Sequence, residues 1–72
     1  MNGQEEIGTV KWFDSQKGYG FIRRENGSDV FVHFSAIEDP NLRDLQEGDR
    51  VQFVVGPGRK GPAAQQVRRA SE

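Results

Sequence analysis

Hydrophobic and polar residues alternate along much of this chain with a period of two, the period of a strand that buries one face. In IGTVKWF, Ile7 to Phe13, the set Thr9, Lys11 and Phe13 alternates with Gly8, Val10 and Trp12, and β-branched and aromatic residues dominate. The loop DSQKG leads to a second strand, Tyr19 to Arg24. ENGSD then contains Asn26-Gly27, a strong local signal for a tight hairpin with positive φ, so Val30 to Phe34 is expected to run antiparallel to the second strand. Ser35 to Ile37 fits a single helical turn. Glu38 to Asp49 reads as a polar connection containing Pro40, with Leu42 and Leu45 as its only apolar anchors. A fourth strand from Arg50 to Val55, the loop GPGRKGP and a weaker fifth strand from Ala63 to Arg69 complete the pattern. A helix over AAQQVRRA would be too short to be stable alone.

With 72 residues the chain makes one domain, its core spanning about residues 7 to 69, near the lower size limit for a single hydrophobic core. Five short strands with glycine-rich turns are too few for two large sheets. They imply an all-β, closed or nearly closed barrel, which also removes sheet edges that invite aggregation. Val10, Ile22, Val30, Val32, Ile37, Val51, Phe53, Val55 and Val67 are the expected inward residues, of a size to fill a small barrel.

That aliphatic set makes the aromatics conspicuous. If Ile22 points inward, Tyr19 and Phe21 share the outer face of their strand; if Val30 and Val32 point inward, Phe31 and His33 face outward. Across a short hairpin these four become neighbours, flanked by Lys11 and Lys17. Gly18 and Gly20 add nothing that would cover the rings, and an exposed aromatic cluster needs a partner. Parity leaves two positions open. Trp12 and Phe13 are adjacent and cannot both face outward on a regular strand, so one is half-buried at the rim or a bulge turns the chain. Phe34 shares the parity of Val32 and faces inward unless the strand ends before it.

Charge changes the picture only through its distribution. The net charge is −1, whereas proteins that bind polyanions usually carry a basic excess. Lys11, Lys17, Arg23 and Arg24 surround the aromatic segments with only Asp14 among them, Glu38 to Asp49 is acidic, and every charge from Arg50 to Arg69 is positive. From charge alone, the simplest reading is a solvated surface of mixed sign. There is no cysteine and one histidine, so neither disulfides nor a metal cage is expected. MNGQEEIG has no basic and apolar leader, and no apolar run approaches a membrane span; a soluble, cytoplasmic protein is expected, with no membrane partner.

Aromatic rings stack on any base, and nearby lysines meet phosphates as point charges, a combination suited to single strands whose bases are splayed out. GTVKWFDSQKGYGFI, DVFVHFSAI, GDRVQF and GPAAQQV, together reaching from about Gly8 to Val67, resemble the cold-shock domain family of small bacterial nucleic-acid-binding proteins. The resemblance implies a five-stranded antiparallel Greek-key barrel of the oligonucleotide-binding (OB) class. It also implies binding of single-stranded RNA and DNA with low sequence preference, favouring pyrimidine-rich stretches. By the same resemblance the binding set is Lys11, Trp12, Phe13, Lys17, Tyr19, Phe21, Phe31, His33, Phe34 and Lys60, with Asp29 as a peripheral polar candidate. Two departures touch the outer subsites. Asp14 stands where the family usually has asparagine and places an acid near a phosphate, and Leu42 offers no ring where many members carry an aromatic.

Other motifs lead nowhere. KGYGFIR lacks the third glycine of a dinucleotide fingerprint, and in GPGRKGP Pro62 stands where a phosphate loop needs lysine. Asn26-Gly27-Ser28 matches a glycosylation acceptor, but its turn role suffices. His33 and Ser35 form a conceivable nucleophile pair without a third member or an oxyanion site, so no enzyme activity, cofactor or small-molecule substrate is expected. The expected function is that of an RNA chaperone acting as a monomer; the alternative is a barrel whose aromatics hold a proline-rich peptide.

Overall fold

The computed structural model describes residues 5–39, 45–58 and 61–70. Five strands, β1 (Glu5–Asp14), β2 (Tyr19–Arg24), β3 (Asp29–His33), β4 (Arg50–Gly58) and β5 (Gly61–Arg69), form a closed barrel in the order β1-β2-β3-β5-β4. Neighbours are antiparallel except at the closure, where β3 and β5 meet in parallel at Phe31 and Ala63. A 3₁₀ turn over Phe34–Ala36 follows β3. In the hairpin between β2 and β3, Gly27 adopts φ +95° and the Asn26 carboxamide oxygen accepts from the Ser28 N–H at 2.9 Å, the turn chemistry that Asn-Gly supplies.

Three strands run further than alternation alone indicates. β1 begins at Glu5 because Glu5, Glu6 and Ile7 pair with Val54, Phe53 and Gln52 of β4. The acidic side chains there are matched: Glu5 with Arg68 and Gln52, and Glu6 with Arg24 through two hydrogen bonds of 2.8 and 2.9 Å. That fork holds the Arg24 guanidinium above its ordinary pKa, chiefly through the hydrogen bonds it donates to Glu6. β4 and β5 extend into the glycine- and proline-rich loop, where Pro57 lies opposite Pro62 and Gly58 opposite Gly61.

Val10, Ile22, Val30, Val32, Val51, Phe53 and Val67 are at most 2% exposed, with Leu45 and Ala64 completing the buried cluster. Ile37 and Val55, expected inside, are only partly buried and pack against the cluster from its rim. Leu42 lies outside the described residues.

Two register shifts shape the sheet. In β1, Val10 pairs with Ile22 but Trp12 with Phe21, leaving Lys11 as an extra residue. In β5, Gln66 and Val67 together oppose the single Phe53, and Gln66 adopts φ +53°. A left-handed conformation costs a non-glycine residue about 1–2 kcal/mol, while glycine loses about 0.5–1 kcal/mol more chain entropy on folding. Gln66→Gly is therefore expected to stabilise the fold by about 0.5–1 kcal/mol, raising the unfolding midpoint by about 2–8 °C. A lowered midpoint in thermal unfolding would show that the exposed Gln66 side chain contributes more than its backbone costs.

Candidate nucleic-acid interface

The bulge at Lys11 settles what parity leaves open. Beyond it the pleat of β1 is inverted relative to the pattern before it, so Trp12 joins the outer face and Phe13 the inner one. Phe13 opposes Gly20 and packs against the core, which sets it apart from the other aromatic candidates. Trp12 is 41% exposed. Registers place Trp12, Phe21 and Phe31 in one row across β1, β2 and β3, with Tyr19 opposite His33 in the next row. Ring centroids are 5.5 Å apart for Trp12–Phe21, 5.9 Å for Phe21–Phe31, 5.7 Å for Tyr19–Phe31 and 6.1 Å for Trp12–Tyr19, mostly tilted or edge-on. Such edge-to-face contacts lock the rings laterally and leave their outer surfaces open.

β3 ends at His33, so Phe34 escapes the inward parity of Val32 and stands 57% exposed. Its ring lies over Gly18, where a Cβ would come within 2.6 Å of Phe34 Cδ2, and Gly18 itself has φ +81°. Only glycine meets both demands. Phe34 also stacks on His33 at 4.6 Å. His33 Nδ1 accepts from the Ser35 N–H at 3.2 Å and lies 2.8 Å from Ser35 Oγ, which caps the 3₁₀ turn. The His33–Ser35 pair thus exists, as a cap of the 3₁₀ turn.

The cations are less free than the sequence implies. Lys11 Nζ lies 2.9 Å from Asp29 Oδ2, and Arg23 Nε lies 3.8 Å from Asp29 Oδ1. Arg23, opposite Asp29 in the row beyond Phe21 and Phe31, joins the face although it is absent from the candidate set. The signal was present in the parity it shares with Phe21. Lys17 is exposed and makes no ion pair among the described residues. Asp14 Oδ1 accepts from the Gln16 and Lys17 N–H groups, each at 3.0 Å, so this carboxylate organises the turn that leads to Gly18. Lys60 lies outside the described residues. Within the basic run in the second half of the chain, Arg50 pairs with Glu25 at 3.6 Å and Arg68 with Glu5 at 3.2 Å. No helix among the described residues is long and apolar enough to cross a membrane.

The sequence and the fold are similar to those of known proteins. The family model described as the 'Cold-shock' DNA-binding domain matches residues 6–70. The chain is 55% identical over 65 residues to the cold shock protein CspC of Bacillus subtilis (strain 168), covering 90% of this chain and 98% of that one. It is 55% identical over 62 residues to the cold shock-like protein CspLB of Listeria monocytogenes, covering 86% and 94%. A cold shock-like protein of Thermotoga maritima is 56% identical over 61 residues, covering 85% and 92%. The fold is similar to the solved structure of drosophila Unr CSD456, with a TM-score of 0.78 at 25% identity over 97% of this chain, which spans 28% of that longer one. A barrel with one sheet face given over to aromatics, a family match that takes in all but one residue of the strands, and relatives more than half identical along nearly their whole length make this chain a member of the cold-shock DNA-binding domain family.

Proposed function

We propose that the protein binds single-stranded RNA and DNA across the face of Trp12, Tyr19, Phe21, Phe31, His33 and Phe34, with Lys11, Lys17 and Lys60 meeting phosphates and Phe13 supporting the rim. The observation that carries this reading is the row Trp12, Phe21, Phe31: three rings on the outside of a barrel whose core is complete without them. Bases stack on such rings whatever their identity, which gives low sequence preference with an advantage for flexible pyrimidine-rich strands. A duplex hides its base faces and is a poor ligand. Binding stabilises the open strand by mass action, so a cytoplasmic monomer of this kind acts as an RNA chaperone without consuming ATP.

Trp12 is the chain's only tryptophan, so its fluorescence reports on this face alone. Titration with a pyrimidine oligonucleotide is expected to quench it, and duplex of the same sequence is expected to bind far more weakly. Unchanged fluorescence, or equal affinity for both forms, refutes the proposal.

Asp29 limits the electrostatic part of binding, because its carboxylate occupies Lys11 and faces Arg23. Asp29→Asn is expected to raise affinity about two- to fivefold at low salt, as the exposed pair itself is worth little. Each additional phosphate contact steepens the salt dependence by about 0.7 in log affinity per log salt. The check is a titration series across salt concentrations; reduced affinity would mean that the Asp29 carboxylate contacts the ligand directly.

A further inference from the structure

The hairpin tip Asn26-Gly27-Ser28 carries chemistry that its turn role does not use. All three residues are exposed, and a Cβ built on Gly27 would meet nothing within 4 Å, so neighbours do not crowd this side of the turn. An asparagine followed by glycine is prone to cyclise, because the second residue has no side chain to hinder attack of its backbone nitrogen on the asparagine Cγ. Asn26 also has a feature that a bare Asn-Gly pair lacks. Its Oδ1 accepts two hydrogen bonds, from the Ser28 N–H at 2.9 Å and from the Ser28 hydroxyl at 2.8 Å.

When a nitrogen adds to Cγ, negative charge develops on Oδ1, so both donors already stand where the oxyanion forms. One contact opposes the reaction. The Gly27 N–H donates to the Arg24 carbonyl at 2.9 Å, and that bond breaks as the ring closes. The loss is one neutral hydrogen bond at an exposed tip, where water takes the place of the donor. The gain is two donors to a forming charge, each roughly twice as strong as a neutral hydrogen bond, so the balance favours reaction.

We infer that Asn26 is a site of covalent modification, deamidation to aspartate and isoaspartate, promoted by the Ser28 donors. The Gly27 nitrogen loses its proton and bonds to Cγ, the Cγ–Nδ2 bond breaks, and ammonia leaves with that proton. Water then opens the succinimide ring. Cleavage of the bond to Cγ gives an ordinary aspartate; cleavage of the bond to the main-chain carbonyl carbon gives isoaspartate, whose main chain runs through the side chain and is one carbon longer.

The two products act differently on the sheet. Aspartate keeps Oδ1 as an acceptor for Ser28. In isoaspartate that carbonyl becomes part of the main chain, and the longer loop no longer fits between the Arg24 N–H and the Ser28 carbonyl, 2.7 Å apart in the intact hairpin. That contact is the first rung of the β2–β3 ladder, followed by Arg23 with Asp29 and then Phe21 with Phe31. Isoaspartate therefore loosens the aromatic row from its hairpin end. The chemistry is independent of any ligand, whereas its effect on affinity rests on the proposed binding of single strands to this face.

The full chain is aged at physiological temperature in mildly alkaline buffer and mapped by peptide mass spectrometry, with a protein isoaspartyl methyltransferase as the probe for isoaspartate. Asn2-Gly3, the other Asn-Gly pair in the sequence, serves as an internal clock. Asn26 is expected to convert at least as fast as Asn2. Ser28→Ala is expected to slow conversion at Asn26 about two- to tenfold, the effect of one hydrogen bond to the forming charge, and to leave Asn2 unchanged. For the consequence, an Asn2→Gln chain is aged and the fraction with isoaspartate at position 26 is compared with the same chain carrying Asn26→Asp. The Asn26→Asp protein is expected to melt and to bind a pyrimidine oligonucleotide like the unaged chain. The isoaspartate fraction is expected to melt at a lower temperature and to bind about fivefold or more weakly, the lower end of what one stacked base contributes. Asn26 intact while Asn2 converts, conversion undiminished or faster in Ser28→Ala, or an isoaspartate fraction that melts and binds like Asn26→Asp overturns the inference. If the unaged chain binds no strand, the reading of the aromatic face fails instead, and conversion and melting still decide the inference.

Discussion

Replacing Phe21 and Phe31 together by alanine is expected to weaken single-strand binding by about a hundredfold or more while leaving a folded barrel. Each stacked base is worth about 1–3 kcal/mol on alanine substitution, or about 5- to 150-fold in affinity. The two rings touch, with centroids 5.9 Å apart, so their losses will not simply add. Neither ring belongs to the buried cluster, and removing the edge-to-face pair costs the fold only about 0.5–1.5 kcal/mol beyond the area involved. The measurement is an oligonucleotide titration by Trp12 fluorescence or calorimetry, with cooperative thermal unfolding as the control. Ile7→Ala removes an exposed apolar side chain from another part of the barrel surface and is expected to leave affinity unchanged. Binding that survives the double substitution would move the interface off this sheet face.

Why a chain of net charge −1 should serve a polyanionic ligand follows from where its acids are held. Glu5, Glu6 and Glu25 are engaged by Arg68, Arg24 and Arg50. Asp14 is turned into its own loop. On the aromatic face the acid that matters is Asp29, and it is shared between two cations. In the proposed binding mode, affinity rests on ring surface and the few cations set its salt dependence.

Much of this was legible in the sequence because period two is a geometric property of the strand. Seven of the nine inward residues read from alternation are the buried ones, and Tyr19, Phe21, Phe31 and His33 lie together on the outer side. What alternation could not supply were the places where the count breaks. A bulge adds a residue without any local mark in composition, so the side on which Trp12 and Phe13 fall depended on pairing with β2. Ile37 and Val55 follow the inward pattern but are only partly buried. Ala64 is small enough to look like spacer, and Leu45 was recognisable only as an anchor of a polar loop. The ion pairs of Glu5 and Glu6 were hidden for a related reason: their partners Arg68 and Arg24 lie 63 and 18 residues away in sequence and meet them only through strand pairing.

The bulge also explains why position 20 cannot carry a side chain. Gly20 opposes Phe13 on β1 and Val32 on β3, and a Cβ there would meet the Trp12 carbonyl oxygen and lie 2.7 Å from Phe13 Cα. These are backbone atoms of the neighbouring strand, so no rotamer change relieves the overlap; β1 must move away from β2. Overpacking of this kind typically costs about 1–3 kcal/mol, and rigid backbone partners put Gly20→Ala at or above the upper end. For a chain of this length, total stability is about 4–11 kcal/mol, and a 3 kcal/mol loss lowers the unfolding midpoint by about 12–24 °C. Function should suffer separately from stability. Moving β1 carries Trp12 away from Phe21, 5.5 Å from it in the intact face, so the folded variant at low temperature should still bind single strands more weakly than wild type. Thermal unfolding and low-temperature titration together decide this. A midpoint lowered by less than about 4 °C would show that the two strands separate at little cost, and then the lateral locking of the ring row could not be what holds Trp12 in place.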